Sequence, residues 1–413
     1  MPANSDFSNY HLDEDRPSDA ATPVVSAFYD RFPYPGDPLQ DGPPPGHNWR
    51  WCYQSVLSAV HGCLPATDHQ VLRILDAGCG TGVSTDYLCH LNPGAEVLAV
   101  DISPGALEVA RERLQRSGGE HQVKALRQEQ RSLLDLQNEG PFDYINSVGV
   151  LHHLNDPISG LKALAKCLAP DGLLHLFLYA DAGRWEIHRT QRALNLLAQG
   201  DKHDRLKLGR DLFQTLPESN RLRQSHEKRW SLDTAADANF ADMYLHPQET
   251  SYELSSLMSL IKQAGLHFAG FSNPDNWSPK RLLKGDLLKL ALELPAMQQW
   301  QLVEQLDPDI SHFEFFLSHR PIQQKIWDQD AELIQAKGLR QRCLWGWPSA
   351  NLLGPDFEPL ALSEKGLELM SAIEKAPDIP IGGLGFGDQA AGLARELVEL
   401  RVLLLRCEGG LMP

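Results

Sequence analysis

The sequence predicts an α/β fold: a doubly wound, seven-stranded, mostly parallel sheet with an N-terminal arm, a helical insertion and a C-terminal α-rich extension. Three observations predict it. Between residues 71 and 180, short apolar, partly β-branched runs alternate with amphipathic runs of helical period. The first apolar run, VLRILDAG from Val71, stops at a glycine-rich turn. The second, EVLAVDIS from Glu96, carries an acid, Asp101, at its end. Such alternation reads as parallel βαβ units joined by right-handed crossovers.

The elements follow in order. Residues 1–47 form the arm. Its first 23 residues are polar, acidic and proline-bearing, which predicts a loosely attached start. The prolines of FYDRFPYPGDPL (Phe28–Leu39) predict extended or turn backbone, with the aromatics packed as a strap across the main domain. Residues 48–180 make the core. A short helix over 48–62 ends near Gly62, and a helix from about Ser84 to Leu91 follows the first strand. Pro104 opens a helix through about Arg116, with Ser103 as N-cap. VKALRQE is a third strand and FDYINSVGV a fourth. Residues 157–168 place Ile158, Leu161, Leu164, Ala165 and Leu168 on one helical stripe. Asp171–Gly172 reads as a turn before the fifth strand, LLHLFLYA. Residues 181–250 form a polar, helical insertion. Residues 251–320 complete the sheet, with a helix Tyr252–Gln263, a sixth strand LHFAGFS, a helical insert over 280–305 and a seventh strand HFEFFLSHRP. Residues 321–413 are a mixed, helix-rich extension bearing Trp345 and Trp347.

Composition narrows the function classes. The chain has 413 residues, 42% hydrophobic and 22% charged, ordinary values for a globular protein with a sizeable core. Its formal net charge of −16 weighs against nucleic acid as partner without excluding it, because phosphate binding rests on basic side chains. Residues 181–230 hold a local excess of Lys and Arg, read first as a solvated helical face and second as a wall for an acidic substrate. Seven scattered cysteines without a C-x-x-C pair predict reduced thiols and no zinc site. The start lacks a basic, apolar leader, and no apolar run approaches the ~20 residues that span a bilayer, so a cytoplasmic protein without membrane contact is expected. Nothing in the pattern specifies an oligomeric state.

The chemistry concentrates in ILDAGCGTG (Ile74–Gly82). Open α/β sheets bind ligands at the carboxyl ends of their strands, and glycines there let the backbone turn sharply. The spacing is G-x-G-x-G, and acids flank it: Asp76 before the loop and Asp101 at the next strand end, where such folds place a carboxylate on ribose hydroxyls. A carboxylate within the loop repels a pyrophosphate and suits a cationic amino-acid moiety. That favours S-adenosylmethionine over a nicotinamide dinucleotide.

With these residues in view, ILDAGCGTG and VLAVDIS resemble the first two motifs of the class I, Rossmann-like S-adenosylmethionine-dependent methyltransferases. FDYINSVGVLHHLNDP and LAPDGLLHLFLYA resemble their fourth and fifth strands. The resemblance covers roughly residues 70–180. It implies that Asp76, Ala77, Gly78, Cys79, Gly80 and Gly82 hold the methionine part, Asp101 the ribose, and Ile102 the adenine face. Ser132 and Leu133 would meet the adenine edge, where many members carry an acid, and Asn146 would lie beside the cofactor. The YDRFPYPG arm, LYADAGRWEIHRTQ and the LHPQETSYELSSL segment look like a bacterial group of such enzymes. The arm also resembles methyltransferases with an appended regulatory domain, some of which modify protein lysines.

For the acceptor end, His152 and His153 follow the fourth strand and titrate near neutrality, so either is a candidate base as well as a candidate structural histidine. Tyr34, with Tyr29, is a candidate to close over cofactor and acceptor. Asn146 is not followed by Pro-Pro-Tyr, which counts against planar amide or base nitrogens as the methylated atom. His188 and His246 are weaker candidates. No metal is expected: His312 and His319, seven apart on a strand, face opposite ways. The leading expectation is a small or peptide-like acceptor. A protein (lysine-type) or RNA methyltransferase using the C-terminal extension, or a non-catalytic S-adenosylmethionine-binding regulator, are the alternatives.

Overall fold

The computed structural model describes residues 22–44, 48–66, 71–136, 138–198 and 204–407. A seven-stranded sheet organises it: β1 (Arg73–Ala77), β2 (Glu96–Asp101), β3 (Ala125–Gln130), β4 (Phe142–Val148), β5 (Leu168–Tyr179), β6 (His267–Phe271) and β7 (His312–Ser318). The order is β3-β2-β1-β4-β5-β7-β6. Every pairing is parallel except those of β7, which runs antiparallel to β5 and β6. The strand order reverses between the parallel neighbours β1 and β4, so the carboxyl ends of these two strands open the crevice in which such sheets bind ligands.

Alternate residues along each strand feed two cores, because successive side chains point to opposite faces. Leu75, Leu98, Ile145 and Leu174 enter one cluster with α5 (Pro157–Cys167) and α10 (Leu254–Gln263). Ile74, Val97, Tyr144 and Leu173 enter the other with α2 (Tyr53–His61) and α3 (Val83–Leu91). α4 (Pro104–Ser117) begins as expected, with the Ser103 hydroxyl accepting from Ala106 N–H at 3.0 Å and proline in the first turn. α2 ends on Gly62 at φ +74°.

Two local expectations are corrected. The arm is not extended throughout: α1 (Thr22–Arg31) is helical and includes Phe28 to Arg31. Its first proline, Pro23, lies in the opening turn, where a missing N–H is harmless, and Pro33 falls just beyond its end. Asp171–Gly172 lies inside β5, where the pairing with β4 shifts register between Phe142 and Tyr144. The first 21 residues lie outside the described set.

Between β5 and α10 the chain forms a cap of helices: α6 (Trp185–Leu197), α7 (Arg205–Thr215), α8 (Arg221–Ser225) and α9 (Asp237–Leu245). They share an aromatic core of Phe213, Phe240 and Tyr244, against which Phe28 and Phe32 of the arm pack. Much of the cap's basic excess is paired, Arg184 with Glu249, Arg229 with Glu186 and Arg210 with Asp237. Beyond β7, helices Glu364–Lys375 and Ala390–Glu399 pack on a two-stranded sheet of Lys337–Arg340 and Leu403–Arg406. Trp347 donates from Nε1 to Glu374 at 3.0 Å, whereas Trp345 is 52% exposed. No described helix is long and apolar enough to cross a membrane.

The expectation of reduced thiols throughout is also corrected. Cys63 and Cys407 form a disulfide across 344 residues. The strand Leu403–Arg406 brings them together: Leu64 N–H donates to Leu405 O and Cys407 N–H to Leu64 O. Spacing along the chain cannot reveal a pair made by the tertiary fold. Cys52, Cys79, Cys89, Cys167 and Cys343 are buried free thiols.

Closing so long a loop should stabilise the fold by about 2–5 kcal/mol. Cys63→Ser is therefore expected to lower the thermal midpoint by several degrees in non-reducing buffer. Scanning fluorimetry of both proteins with dithiothreitol should erase the difference; a gap that persists under reduction would assign it to packing instead.

Candidate active site

The loop after β1 is held by its own backbone. Gly78 and Cys79 donate their N–H groups to Val100 O at 2.8 and 2.9 Å, and Gly80 N–H donates to the Asp101 carboxylate at 2.8 Å. Two glycines are required by what surrounds them. Gly80 sits at φ +52°, and a Cβ there would lie 2.3 Å from the Tyr34 carbonyl oxygen. Gly82 sits at φ +80°, and its Cβ would meet Ala110 on α4 at 2.8 Å. The arm thus seats directly on the loop. Thr81 completes the junction, donating from N–H to Tyr34 O at 3.0 Å and from its hydroxyl to Pro35 O at 2.7 Å. Arg113 of α4 clamps both, with bonds to Thr81 O, Pro38 O and Asp37 O.

Above the loop lies a cleft of about 260 Å³. Gly78, Cys79, Gly80, Asp101, Ile102, Ser132 and Leu133 of the expected set all line it. Asp101 keeps its two oxygens turned by the N–H groups of Gly80 and Ser103, both at 2.8 Å, each leaving acceptor capacity. Burial raises its carboxyl above the usual range, partly opposed by those bonds. Val100, Ile102, Ala106, Leu133 and Leu134 form an apolar slot beside it. Ser132 is engaged as an N-cap, its hydroxyl accepting from Leu134 N–H at 3.3 Å. The charged residues lining the cleft are Asp101, Asp156 and Arg131, and Arg131 is already paired with Glu129 and Glu139. The exposed balance is anionic, which suits a cation and opposes a pyrophosphate.

Asp76, Ala77 and Asn146 lie beneath the cleft lining. Asp76 is 1% exposed, and its carboxylate receives the hydroxyls of Ser84 at 2.7 Å and Thr85 at 2.6 Å and the Asn146 amide at 2.7 Å. Burial raises its carboxyl, and those three bonds pull it down. Asn146 continues the chain: its Oδ1 accepts from Trp51 Nε1 at 3.1 Å and from His175 Nδ1 at 2.9 Å. His175 then reaches Glu314 at 3.3 Å, and Glu314 pairs with Arg50 at 2.6 Å. In this structure Asp76 and Asn146 tie the central strands β1 and β4 together under the loop.

The two adjacent histidines part company. His152 is fully buried, stacks on Tyr179 at 3.7 Å, and makes no hydrogen bond from either ring nitrogen among the described residues. His153 lines the cleft with Tyr29 and Tyr34. It stacks on His246 at 3.7 Å, and its Nδ1 donates to Gln248 O at 2.8 Å. Burial, then repulsion by His152 and His246, lowers its pKa well below the usual value, so the ring is neutral near pH 7. His188 pairs with Glu249 at 3.0 Å, behind Arg184.

Sequence reasoning missed Asp242. It is 4% exposed on α9 and accepts from the Tyr29 hydroxyl at 2.9 Å. His153, Asp242 and His246 each bring one ligand-type atom within 4.8 Å of the others. The signal available was the D-x-x-x-H spacing of Asp242 and His246 where the cap rejoins the core, weak without knowledge that α9 lies over Tyr29.

A family model described as a methyltransferase domain matches residues 75–174. An uncharacterized protein of Synechococcus is 49% identical over 396 residues, covering 94% of each chain. A phycocyanin operon protein W of Pseudanabaena tenuis is 53% identical over 94 residues, 23% of this chain and 87% of that protein. Among solved structures, PKMT2 from Rickettsia typhi, in complex with AdoHcy, superposes with a TM-score of 0.58 at 18% identity, covering 88% of this chain and 76% of that one; it shares the fold.

The packing around Gly82 gives a direct test. Gly82→Ala should destabilise by about 2–4 kcal/mol, combining αL strain with the Ala110 clash. Gly94→Ala, at φ +80° with nothing within 4 Å, should cost only the strain, about 1 kcal/mol. Urea melts of both report the difference; equal losses would remove the packing argument.

Proposed function

From a chain that belongs to the class I S-adenosylmethionine-dependent methyltransferases, in one family with the Synechococcus protein, we propose transfer of a methyl group to a small or peptide-like acceptor. The acceptor enters between the N-terminal arm and the helical cap. The observation that carries this reading is the meeting of three segments on one side of the cleft: Tyr29 and Tyr34 from the arm, His153 from the loop after β4, and Asp242 from the cap behind Tyr29.

S-adenosylmethionine, when bound, supplies an electrophilic methyl group on a cationic sulfur. The residues present fit it. Asp101 offers acceptors to ribose hydroxyls, the slot of Ile102, Leu133 and Leu134 matches a purine face, and the anionic lining matches a cation. Methyl displacement needs alignment more than acid–base chemistry, so holding the acceptor in line supplies much of the rate. The arm serves that end. Its carbonyls are pinned to the glycine loop, and Asp30 is bonded by the Ser103 hydroxyl at 2.6 Å and Gly105 N–H at 3.1 Å at the start of α4.

Titration calorimetry with S-adenosylmethionine tests the donor site. Affinity should fall by at least about tenfold in Asp101→Ala, the loss of a charge-assisted contact. Undiminished affinity would defeat the assignment of Asp101.

A further inference from the structure

We propose that the side of the cleft formed by Tyr29, Tyr34 and His153 is an amine site, in which Asp242 balances the acceptor's cationic charge and takes its proton through the Tyr29 hydroxyl. The proposal rests on the methyl-transfer reading and names the acceptor class for that same cleft.

The argument begins with Gln248. Its carbonyl accepts from His153 Nδ1, so that nitrogen carries the proton and Nε2 keeps a lone pair. Its N–H donates to His246 Nδ1 at 3.1 Å, so that nitrogen is the lone pair and Nε2 carries the proton. One residue's backbone thus sets opposite tautomers on two stacked histidines. The arrangement argues against a metal among His153, Asp242 and His246, since His246 Nε2, unpartnered among the described residues, is an N–H donor. A ligand here meets acceptors: the His153 lone pair, the Tyr29 oxygen and, behind it, a carboxylate. Groups rich in N–H match that set.

Charge points the same way. Asp242 makes no ion pair among the described residues; its bonding partners are the hydroxyls of Tyr29 and Tyr179. Arg184, whose charge it feels, is engaged by Glu249 at 2.9 Å and stacks over Tyr179. A buried carboxylate with no ion-pair partner among the described residues, facing tyrosine rings, favours an alkylammonium through both Coulomb and cation–π attraction. Burial pushes Asp242 up to about 6, against the hydrogen bond from Tyr29 and the charge of Arg184, with Glu249 adding to the rise. The groups facing it from the packed elements are Tyr29, Tyr34, His153, Tyr179, Arg184, His246 and Glu249.

An alkylammonium cannot attack until it loses a proton. One amine N–H bond breaks as a new Tyr29 O–H bond forms, while the original Tyr29 proton moves to Asp242. The freed nitrogen lone pair forms the N–C bond, the C–S bond breaks, and its electron pair stays on sulfur. Asp242 later returns the proton to solvent.

Calorimetry with n-butylamine, in the presence of saturating S-adenosylhomocysteine, tests the site without turnover. Wild type should bind n-butylamine and not n-butanol. Because Asp242 must be ionised, affinity should fall as pH drops through about 6. Asp242→Asn should lose at least about tenfold and flatten that dependence, with S-adenosylhomocysteine affinity unchanged. Tyr29→Phe keeps the ring and removes a bond that stabilises the carboxylate, so the fall should move to higher pH. Equal binding of amine and alcohol, or full amine affinity in Asp242→Asn, overturns the proposal. So does stoichiometric Zn²⁺ binding abolished by His246→Ala, which would assign the cluster to a metal. Failure of wild type to bind S-adenosylhomocysteine would strike the donor reading instead.

Discussion

The buried carboxylate of Asp76 is the constraint from which the site is built. It lies near the end of β1 where the strand order of the sheet reverses, 1% exposed, and a carboxylate there is tolerated only with its lone pairs filled. Ser84 and Thr85, in the first turn of α3, supply two hydroxyls, and so bind the helix start to the strand end across the glycine loop. Asn146 supplies the third bond from the neighbouring strand. Asp76, Asn146 and His175 are register neighbours on β1, β4 and β5, so one row of polar side chains crosses the three central strands. Charge-assisted bonds of this kind contribute about 1.5–3 kcal/mol each, and removing one partner orphans the next. The row therefore holds the strand ends rigidly at the level where the loop must present its N–H groups.

A second layer is built on that frame. The arm touches the loop by backbone, through the Tyr34 carbonyl, and touches the cap through the Tyr29 hydroxyl, which donates to Asp242, and through Gly36 N–H, which donates to Asn239 Oδ1 at 3.0 Å. It also caps α4 through Asp30. Cofactor loop, arm and cap are consequently mechanically linked, and a displacement of the arm would disturb both ends of the cleft at once. This explains why the arm is dense in aromatic residues and prolines: the first supply area to pack on the cap core, and the second fix the backbone path between its two anchor points.

The strands and their order of use were legible because period-two and period-3.6 patterns survive in a single sequence; β1, β2 and β4 match their predicted runs, and Ser103 caps α4 as its position implies. Gly80 and Asp101 were legible because they follow or close predicted strands, whereas Ile102 and Leu133 were named from the family resemblance; all four line the cleft. What escaped was everything set by tertiary contact. The helix over Thr22–Arg31 was hidden by the prolines that bracket it. The pairing of Cys63 with Cys407 depends on a strand that arrives from the far end of the chain. Equivalent-looking histidines, His152 and His153, differ only because β5 places Tyr179 against one and the cap places Gln248 against the other.

That last difference shows how the fold assigns chemistry. A histidine in bulk water samples both tautomers and titrates near neutrality. Buried His153 does neither: desolvation holds it neutral, and the Gln248 carbonyl selects the proton's place. Its neighbour His246, lowered to about 4 chiefly by burial, is selected the other way by the same residue's N–H. The backbone of Gln248, in the segment after α9, therefore acts as a template for two side chains, His153 and His246. The carboxylate at Asp242 is left as the ionisable group whose value, about 6, lies close to neutrality within this cluster. In the proposed site, electrostatic control of the acceptor side would thereby rest on one residue of the cap and that of the donor side on the sheet. The two are joined through Tyr29, which the arm contributes, so that neither half of the site is complete until the arm is seated.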